Sequence, residues 1–398
     1  MKIRLVCLGD LHLCSGPQNT DRLAALDYVI GDAQLNPVDA WLWPGDLTDA
    51  GMTIDIRNAL VDRVTRMANI APVLIVPGNH DPSGDLNFLS RLRAKHLIDV
   101  ITAPGVHNMR AGGQNIAVFC LPYPSKARIV AAGTPPDQVG AVVEQAFDVL
   151  FMEAGAELEY ARTHGALTGA IGHVTISGAV ASTGQPQIGN ELSINATHLA
   201  RLGDCFQLFA HIHKHQRIAS AMYAGSLCRC DWGELEPKGY VVIECDPIDL
   251  SWTHRETFVP IPVPAMHHVD ATLVRTDSKI ASVDIVGSDV RVRLTYPSQE
   301  RDALQAAKDR IRKEFSTARR LVIEPVSVQD RALRSAEVVQ AVTLDAKLKA
   351  WAMLSNVEWT DRLVACADKL QANEDADALV ADVEARLAEQ FEVTMVTR

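Results

Sequence analysis

The sequence predicts an α/β protein that carries a small α+β unit and then a C-terminal helical tail, and three observations lead there. Through residues 1–259, short apolar runs alternate with loops punctuated by glycine and proline. Pro260, Pro262 and Pro264 interrupt that pattern, and residues unable to donate to a sheet ladder mark a boundary. From about Asp330 the chain is rich in Ala, Leu, Asp and Glu and holds neither Gly nor Pro, a helical composition. At 398 residues, 47% of them hydrophobic, the chain exceeds what one core usually carries, so two or three domains are expected.

Taken in order, Ile3–Leu8, Ala40–Trp43, Val73–Val76, Leu167–Ile171 and Phe206–Phe209 are short apolar runs ending in loops, the signature of buried strands. Among the intervening segments, Leu23, Leu26 and Ile30 fall at i, i+3 and i+7 behind a Thr20 cap candidate, and Ala141–Leu158 forms a longer helical stretch. Gly239–Cys245 and Leu250–Thr257 read as strands that close the sheet of a first domain, residues 1–259. A second unit, residues 260–329, follows with strands near Ala271–Arg275, Ser282–Val286 and Val290–Tyr296, a helix at Gln299–Phe315 and a strand at Leu321–Ser327. It is too small to be the catalytic unit. In the tail, residues 330–398, Trp359, Leu363, Cys366 and Leu370 share one helical face, and Leu379, Val383, Leu387 and Phe391 share another. Such faces must fold back onto the protein or dock into a partner.

The net charge of −11 argues against nucleic-acid binding by bulk electrostatics, which needs clustered Lys and Arg. The average conceals a split: residues 260–329 hold 11 Lys plus Arg against 9 Asp plus Glu, whereas 330–398 hold 8 against 13. Arg310, Arg312, Lys313, Arg319 and Arg320 cluster at a predicted helix end, as a solvated face or a phosphate contact. The eight cysteines are scattered with no Cys-x-x-Cys framework, so they read as small buried hydrophobes in a reducing compartment, and Cys228-x-Cys230 is too close for a usual zinc clasp. No run of eighteen apolar residues exists, and Met1–Leu5 leads directly into a strand rather than a cleaved signal. A cytoplasmic protein without a membrane anchor is expected.

The chemistry lies in five clusters, each just after an apolar run: Asp10-Leu-His12, Gly45-Asp46, Gly78-Asn79-His80-Asp81, Gly172-His173 and Ala210-His211-Ile-His213. Together they supply three carboxylates, one carboxamide and five imidazoles. Mixed oxygen and nitrogen donors suit borderline divalent metals such as Mn, Fe or Zn, whereas all-oxygen sets suit Mg or Ca. Two cations held about 3.5–4 Å apart need a shared carboxylate to soften their repulsion, and Asp46 is the natural bridge. Asp10 and His12, two apart on a loop, can turn toward one metal, while Asn79 offers a neutral oxygen to the other and His173, His211 and His213 complete the set. Each piece alone is weak; five in this order read as a two-metal phosphoesterase.

These clusters resemble, in order and form, those of the calcineurin-like metallophosphoesterases. A second stretch is closer still: Ala210-His211-Ile212-His213-Lys214, Tyr223-Ala-Gly225-Ser226-Leu227-Cys-Arg229-Cys-Asp231-Trp232-Gly233-Glu234 and Lys238-Gly239-Tyr240 resemble the SbcD-type nuclease subunit of double-strand-break repair, as does Gly45-Asp46-Leu-Thr-Asp49. The resemblance covers the first 260 residues and implies a four-layer metallophosphoesterase β-sandwich flanked by helices. Beyond them it implies a small DNA-binding capping domain and a helical tail that grips the coiled-coil base of an SbcC-type ABC ATPase, as a homodimer within a heterotetramer. The activity implied is Mn-dependent double-strand exonuclease and single-strand endonuclease cleavage of DNA. Carried over, Asp10, His12, Asp46 and His213 bind one Mn, and Asp46, Asn79, His173 and His211 the other. His80 is not a ligand but contacts the scissile phosphate or protonates the leaving oxygen, with Asp81 fixing its tautomer.

The departures are few. Ala210 replaces the usual glycine and crowds its loop slightly, and Asp49 stands where some relatives have a DNA-contacting histidine. His215 and Lys214 read as surface residues. Two rivals remain, a small-substrate phosphodiesterase or phosphatase of the same superfamily and a non-catalytic scaffold. The Tyr223–Glu234 stretch, the cap and the amphipathic tail speak against the first, and His80 against the second.

Overall fold

The computed structural model describes residues 1–49, 51–81, 84–130, 134–135, 137–183, 185, 191–249, 251–277, 285–328, 343–354, 360 and 364. The chain divides into two compact units, Met1–Met266 with Gly287–Asp289, and His267–Val286 with Val290–Arg398.

In the first unit, β1 (Ile3–Cys7), β2 (Ala40–Trp43), β3 (Val73–Ile75) and β4 (Ile98–Val100) pair in parallel. Parallel neighbours require crossovers. Helices α1 (Gln18–Leu35) and α2 (Ile54–Ile70) supply the first two. Helix α2 buries Ile56, Leu60, Val64 and Met67 along one stripe and is capped by Thr53, whose side chain accepts from Ile56 N at 3.3 Å. Helix α1 starts earlier than its Thr20 cap candidate, directly after Pro17, so Thr20 lies within its first turn. Proline is pre-set at a helical φ and starts the turn before a capping hydroxyl is needed.

The chain then builds a second sheet. Strands β5 (Gly105–Ala111) and β6 (Gln114–Leu121) form a hairpin across Gly112 and Gly113, both at positive φ, as a two-residue turn matched to strand twist requires. After the short α3 (Lys126–Ile129), α4 (Val139–Thr163) crosses to β7 (Leu167–His173), parallel to β6. A ribbon of β8 (Thr175–Ile176) and β9 (Ser193–Ile194) and the capped α5 (Ala196–Arg201) precede β10 (Phe206–Ala210), parallel to β7. Strands β11 (Gln216–Ile218) and β12 (Ala221–Tyr223) complete this sheet, and β13 (Gly239–Ile248) and β14 (Ser251–Pro260) return to the first. The orders are β14-β13-β1-β2-β3-β4 and β11-β12-β10-β7-β6-β5.

The expected four layers are present. Ile3, Leu5, Leu42 and Leu74 of the first sheet share one core with Ile116, Val118, Ile171 and Leu208 of the second. Val6, Trp41 and Trp43 face the opposite way and pack on α1 and α2, and Phe119 and Phe209 pack on Phe147 and Phe151 of α4. Strands buried on both faces read as unbroken apolar runs, which is why they are visible in sequence.

The second unit holds a four-stranded sheet in the order β16-β15-β17-β18, built from β15 (Met266–Thr272), β16 (Thr276–Asp277), β17 (Asp289–Pro297) and β18 (Arg320–Val328). Its core gathers Val269, Ala271, Val292 and Leu294 with Ala307, Ile311 and Phe315 of α6 (Leu304–Glu314) and its end. The expected strand Ala271–Arg275 is instead a hairpin corner, where Thr272 N donates to Arg275 O at 2.8 Å. The expected helix Gln299–Phe315 divides into a 3-10 segment, Ser298–Ala303, and α6, with Glu300 out of helical φ/ψ. Arg310 is not a free basic group: it donates to Thr276 Oγ1 at 2.6 Å and Thr272 O at 2.9 Å, tying α6 to the hairpin. Of the tail, α7 (Leu344–Leu354) is described, whereas Trp359, Leu363, Cys366, Leu370, Leu379, Val383, Leu387 and Phe391 lie outside the described residues, as do 282–284 of one expected strand. Among the described residues no helix is long and apolar enough to cross a membrane.

Gly9, between β1 and Asp10, faces Gly225 so closely that an added Cβ would lie 1.5 Å from the Gly225 carbonyl oxygen. Backbone cannot yield as a side-chain end does. Gly9→Ala is expected to lower unfolding stability by about 1–3 kcal/mol, read as an earlier urea midpoint; an unchanged midpoint would contradict this close approach.

Candidate metal centre

Strands β1, β2, β7 and β10 carry Asp10, Asp46, His173 and His211 at or just beyond their carboxyl ends, and the loop after β3 adds Asn79 and His80. Open α/β sheets place their sites at such ends. The loops are bound to one another by backbone: Leu11 N and His12 N both donate to Asp46 O at 2.9 Å, Leu13 N to Leu47 O at 2.9 Å, and Leu227 N to Asp10 O at 2.9 Å. His12, Asp46 and His211 hold positive φ, at 54°, 50° and 98°. Left-handed backbone at a non-glycine residue costs about 1–3 kcal/mol and persists where the surroundings enforce it. Here the interlocked loops do so.

All seven expected ligands meet in one cleft region. His12 Nε2 and His213 Nε2 stand 3.1 Å apart, with Asp46 Oδ2 3.6 Å from the former. On the other side, Asn79 Oδ1 lies 2.9 Å from His173 Nε2 and 3.0 Å from His211 Nδ1, and Asp46 Oδ2 lies 3.1 Å from His173 Nε2. Asp46 therefore touches both groups. Asp10 is fully buried, accepts from His211 N at 3.1 Å and lies 3.8 Å from His173 Nδ1.

The donor set fits cations. Nδ1 of His173 is 2.9 Å from Pro44 O and must donate to it, which turns a ring lone pair at Nε2 toward two oxygens. Lone pairs in that arrangement require a positive charge between them. Burial opposes the His173 imidazolium, but Asp46 and then Asp10 outweigh it and push the pKa up to about 9. Burial likewise opposes ionisation of Asp46, yet His173, His12 and His80 hold its carboxyl well below the usual range.

Behind the imidazoles stands a second layer that the sequence reading did not assign. His213 Nδ1 donates to Glu234 Oε1 at 2.6 Å, and the other oxygen of Glu234 pairs with Lys238 Nζ at 2.7 Å; both are buried. Burial raises the Glu234 pKa, but His213 and Lys238 outweigh it and bring it down to about 2. His211 Nε2 donates to Glu191 Oε2 at 2.9 Å, and Gln185 spans both histidines, donating to His211 O at 2.5 Å and accepting from His213 N at 3.1 Å. Such partners settle which ring nitrogen is left for a cation. Glu234 and Lys238 sit in the stretch singled out in the sequence, but nothing local to it shows their target; Glu191 and Gln185 carry no sequence signal at all.

His80 is the exposed imidazole. Its backbone N donates to Asp46 Oδ1 at 2.9 Å, while ring Nδ1 donates to Asp49 O at 2.9 Å. Asp81 does not fix this tautomer, contrary to expectation. It accepts instead from Leu47 N, Thr48 N, Thr48 Oγ1 and Gly78 N at 3.0–3.3 Å, fastening the Asp46 loop to the Asn79 loop. Two further expectations change. Ala210 does not crowd a loop, being the last residue of β10 opposite His173. His215 is half-buried rather than superficial, stacked on Phe258 with ring centroids 4.1 Å apart.

The profile of the calcineurin-like phosphoesterase family matches residues 3–215, which include all five clusters. The chain belongs to the calcineurin-like phosphoesterase family. Among solved structures, this phosphoesterase is similar to a dimetal phosphatase from Danio rerio, with 10% identity and a TM-score of 0.39 over 65% of this chain and 98% of that one. It is also similar to the sulfate thiohydrolase SoxB from Thermus thermophilus, with 13% identity and a TM-score of 0.34 over 65% of this chain and 56% of the other. By its family the protein is a phosphoesterase of the metal-dependent type.

Glu234→Gln should lower affinity for divalent cations about 10–100-fold, because a neutral amide holds His213 less firmly and leaves Lys238 paired with Glu236 alone. Chelator competition measures this, and affinity equal to wild type in a folded variant would show that Glu234 serves packing alone.

Proposed function

We propose that this phosphoesterase is the nuclease subunit of an SbcC/SbcD-like DNA repair complex, hydrolysing DNA phosphodiesters. The observation that carries the reading is the surround of His213. The stretch from Tyr223 to Lys238 that resembles SbcD-type nucleases is the one that supplies Glu234 and Lys238 behind that histidine.

In this reading Asp10, His12, Asp46 and His213 hold one cation, and Asp46, Asn79, His173 and His211 the other, with Mn as the metal the resemblance implies. When bound, the two cations supply Lewis acidity, lowering the pKa of water toward neutrality and neutralising phosphate charge. His80 does the remaining proton work. With Nδ1 donating to Asp49 O and the Asp49 carboxylate 3.4 Å from that nitrogen, Nε2 is the ring nitrogen left to pass a proton to the departing sugar oxygen. A positioned acid of this kind contributes about 10²–10⁴-fold.

A site that grips phosphate rather than base edges selects DNA by shape, not sequence. With a net charge of −11, much of the phosphate-binding surface would come from a basic partner, and the C-terminal tail, residues 330–398, whose composition predicts helices, is the segment that the resemblance assigns to an SbcC-type ATPase. We place the complex in the cytoplasm, as a homodimer of this chain within a heterotetramer. A second reading, a small-substrate phosphodiesterase, draws on the cleft itself: its volume of about 390 Å³ is that of a mononucleotide-sized pocket.

Linear duplex DNA with Mn, tested with and without the ATPase partner, decides between them. Cleavage is expected for wild type, and His80→Ala should keep its metals while losing about 10²–10⁴-fold in rate. Hydrolysis of chromogenic diesters with none of duplex DNA under either condition would establish the second reading. Asp46→Asn should release both cations, measured as metal content after gel filtration. Deleting residues 335–398 should leave the phosphoesterase unit soluble and abolish partner capture; capture by the truncated protein would remove the tail from that role.

A further inference from the structure

We infer that Cys230 is a further ligand of the cation held by His12 and His213, a sulfur donor that fits this position to a softer metal than Mn. The inference rests on the two-metal reading above. Cys230 offers its Sγ within 4.8 Å of a ring nitrogen of His12 and of one of His213, and these nitrogens lie within the same distance of each other. Around a tetrahedral cation with metal–nitrogen bonds near 2.0–2.1 Å and metal–sulfur bonds near 2.3 Å, neighbouring donors stand roughly 3.3–3.6 Å apart. The His12–His213 separation of 3.1 Å is already close to that, and to join them Cys230 Sγ has to leave its hydrogen bond to Cys228 O at 3.7 Å.

The surroundings are arranged for such a ligand. Cys230 N donates to Glu234 Oε2 at 2.9 Å, and the same carboxylate holds His213 through its other oxygen, so two of the three donors hang from one buried anion. An independent sign comes from Arg22. It is 5% exposed, lines the same cleft, and its buried Nε has no hydrogen-bond partner among the described residues. Its guanidinium is close enough to Cys230 to favour a thiolate electrostatically, while the hydrogen bond with Cys228, burial and the Glu234 carboxylate hold the thiol well above its ordinary pKa, so the bound cation itself has to drive the deprotonation. When the cation binds, the S–H proton passes to solvent and the sulfur lone pair forms the new bond; no electron is transferred. Thiolate ligation favours zinc over manganese, and the general order of divalent affinities points the same way.

Cobalt(II) loaded into the full-length protein tests this without recourse to activity. Wild type and Cys228→Ser should show a near-ultraviolet sulfur-to-cobalt charge-transfer band. Cys230→Ser should lose it while keeping two bound cobalt ions and their visible d–d bands, and its zinc affinity should fall at least about tenfold with a smaller change for Mn. Two bound cobalt ions in wild type without the charge-transfer band, or a band that survives in Cys230→Ser, would overturn the sulfur ligand and leave the two-metal reading intact. No cobalt binding at all would overturn both.

Discussion

Asp46 joins the loops of the first unit to one another. Its carbonyl oxygen takes the amides of Leu11 and His12, its Oδ1 takes the amide of His80, and its Oδ2 faces His12 and His173 from the two sides of the cleft. One residue thus sets the position of three of the five clusters while presenting a carboxylate to both donor groups. The conformation that allows this, a φ of 50° at a buried aspartate, is unfavourable by itself. It persists because Asp81, from the next loop, fixes the two residues that follow Asp46.

The same logic extends outward. Buried imidazoles and carboxylates are costly unless their polar atoms have partners. A shell supplies these for His173, His211 and His213, whereas His12 Nδ1 has no hydrogen-bond partner among the described residues and lies 3.4 Å from Asp49 Oδ1. Glu234, Lys238, Glu191 and Gln185 form that shell on the side of the second sheet. A buried Lys–Glu pair adds little net stability compared with apolar residues of the same size. Its presence behind His213 is better explained by geometry: it holds one ring nitrogen protonated and leaves the other aimed at His12. His80 differs in kind. It stands at the open edge, tied at Nδ1 to Asp49 O, a position compatible with the proton transfer proposed for it.

Two features shape how anionic substrates would be met. The overall charge is negative, and in the second unit Arg310 is spent on the hairpin Thr272–Thr276, leaving fewer free cations than its sequence suggests. In the proposed reading, attraction for phosphate therefore concentrates at the cation centre and at the surface of the proposed partner.

The sequence by itself determined the buried strands of the frame and the residue types of the centre, whereas the four layers were implied only by the family resemblance. Strands covered on both faces appear as apolar runs, and Ala40–Trp43 coincides with β2 end to end. Clusters placed just after such runs could only collect at the carboxyl ends of the strands. Tertiary structure alone decided the rest. That Asp81 clamps loops instead of orienting His80, that Asp49 does the orienting, that Glu234 and Glu191 hold His213 and His211, and that Cys230 comes within reach of His12 all depend on contacts between loops 20 to more than 200 residues apart in the chain. Hydrophobic periodicity reports which side of an element is buried. The direction of a hydrogen bond between two loops is set by their backbone torsions and by the neighbours that enforce them, and it leaves no periodic trace in the sequence.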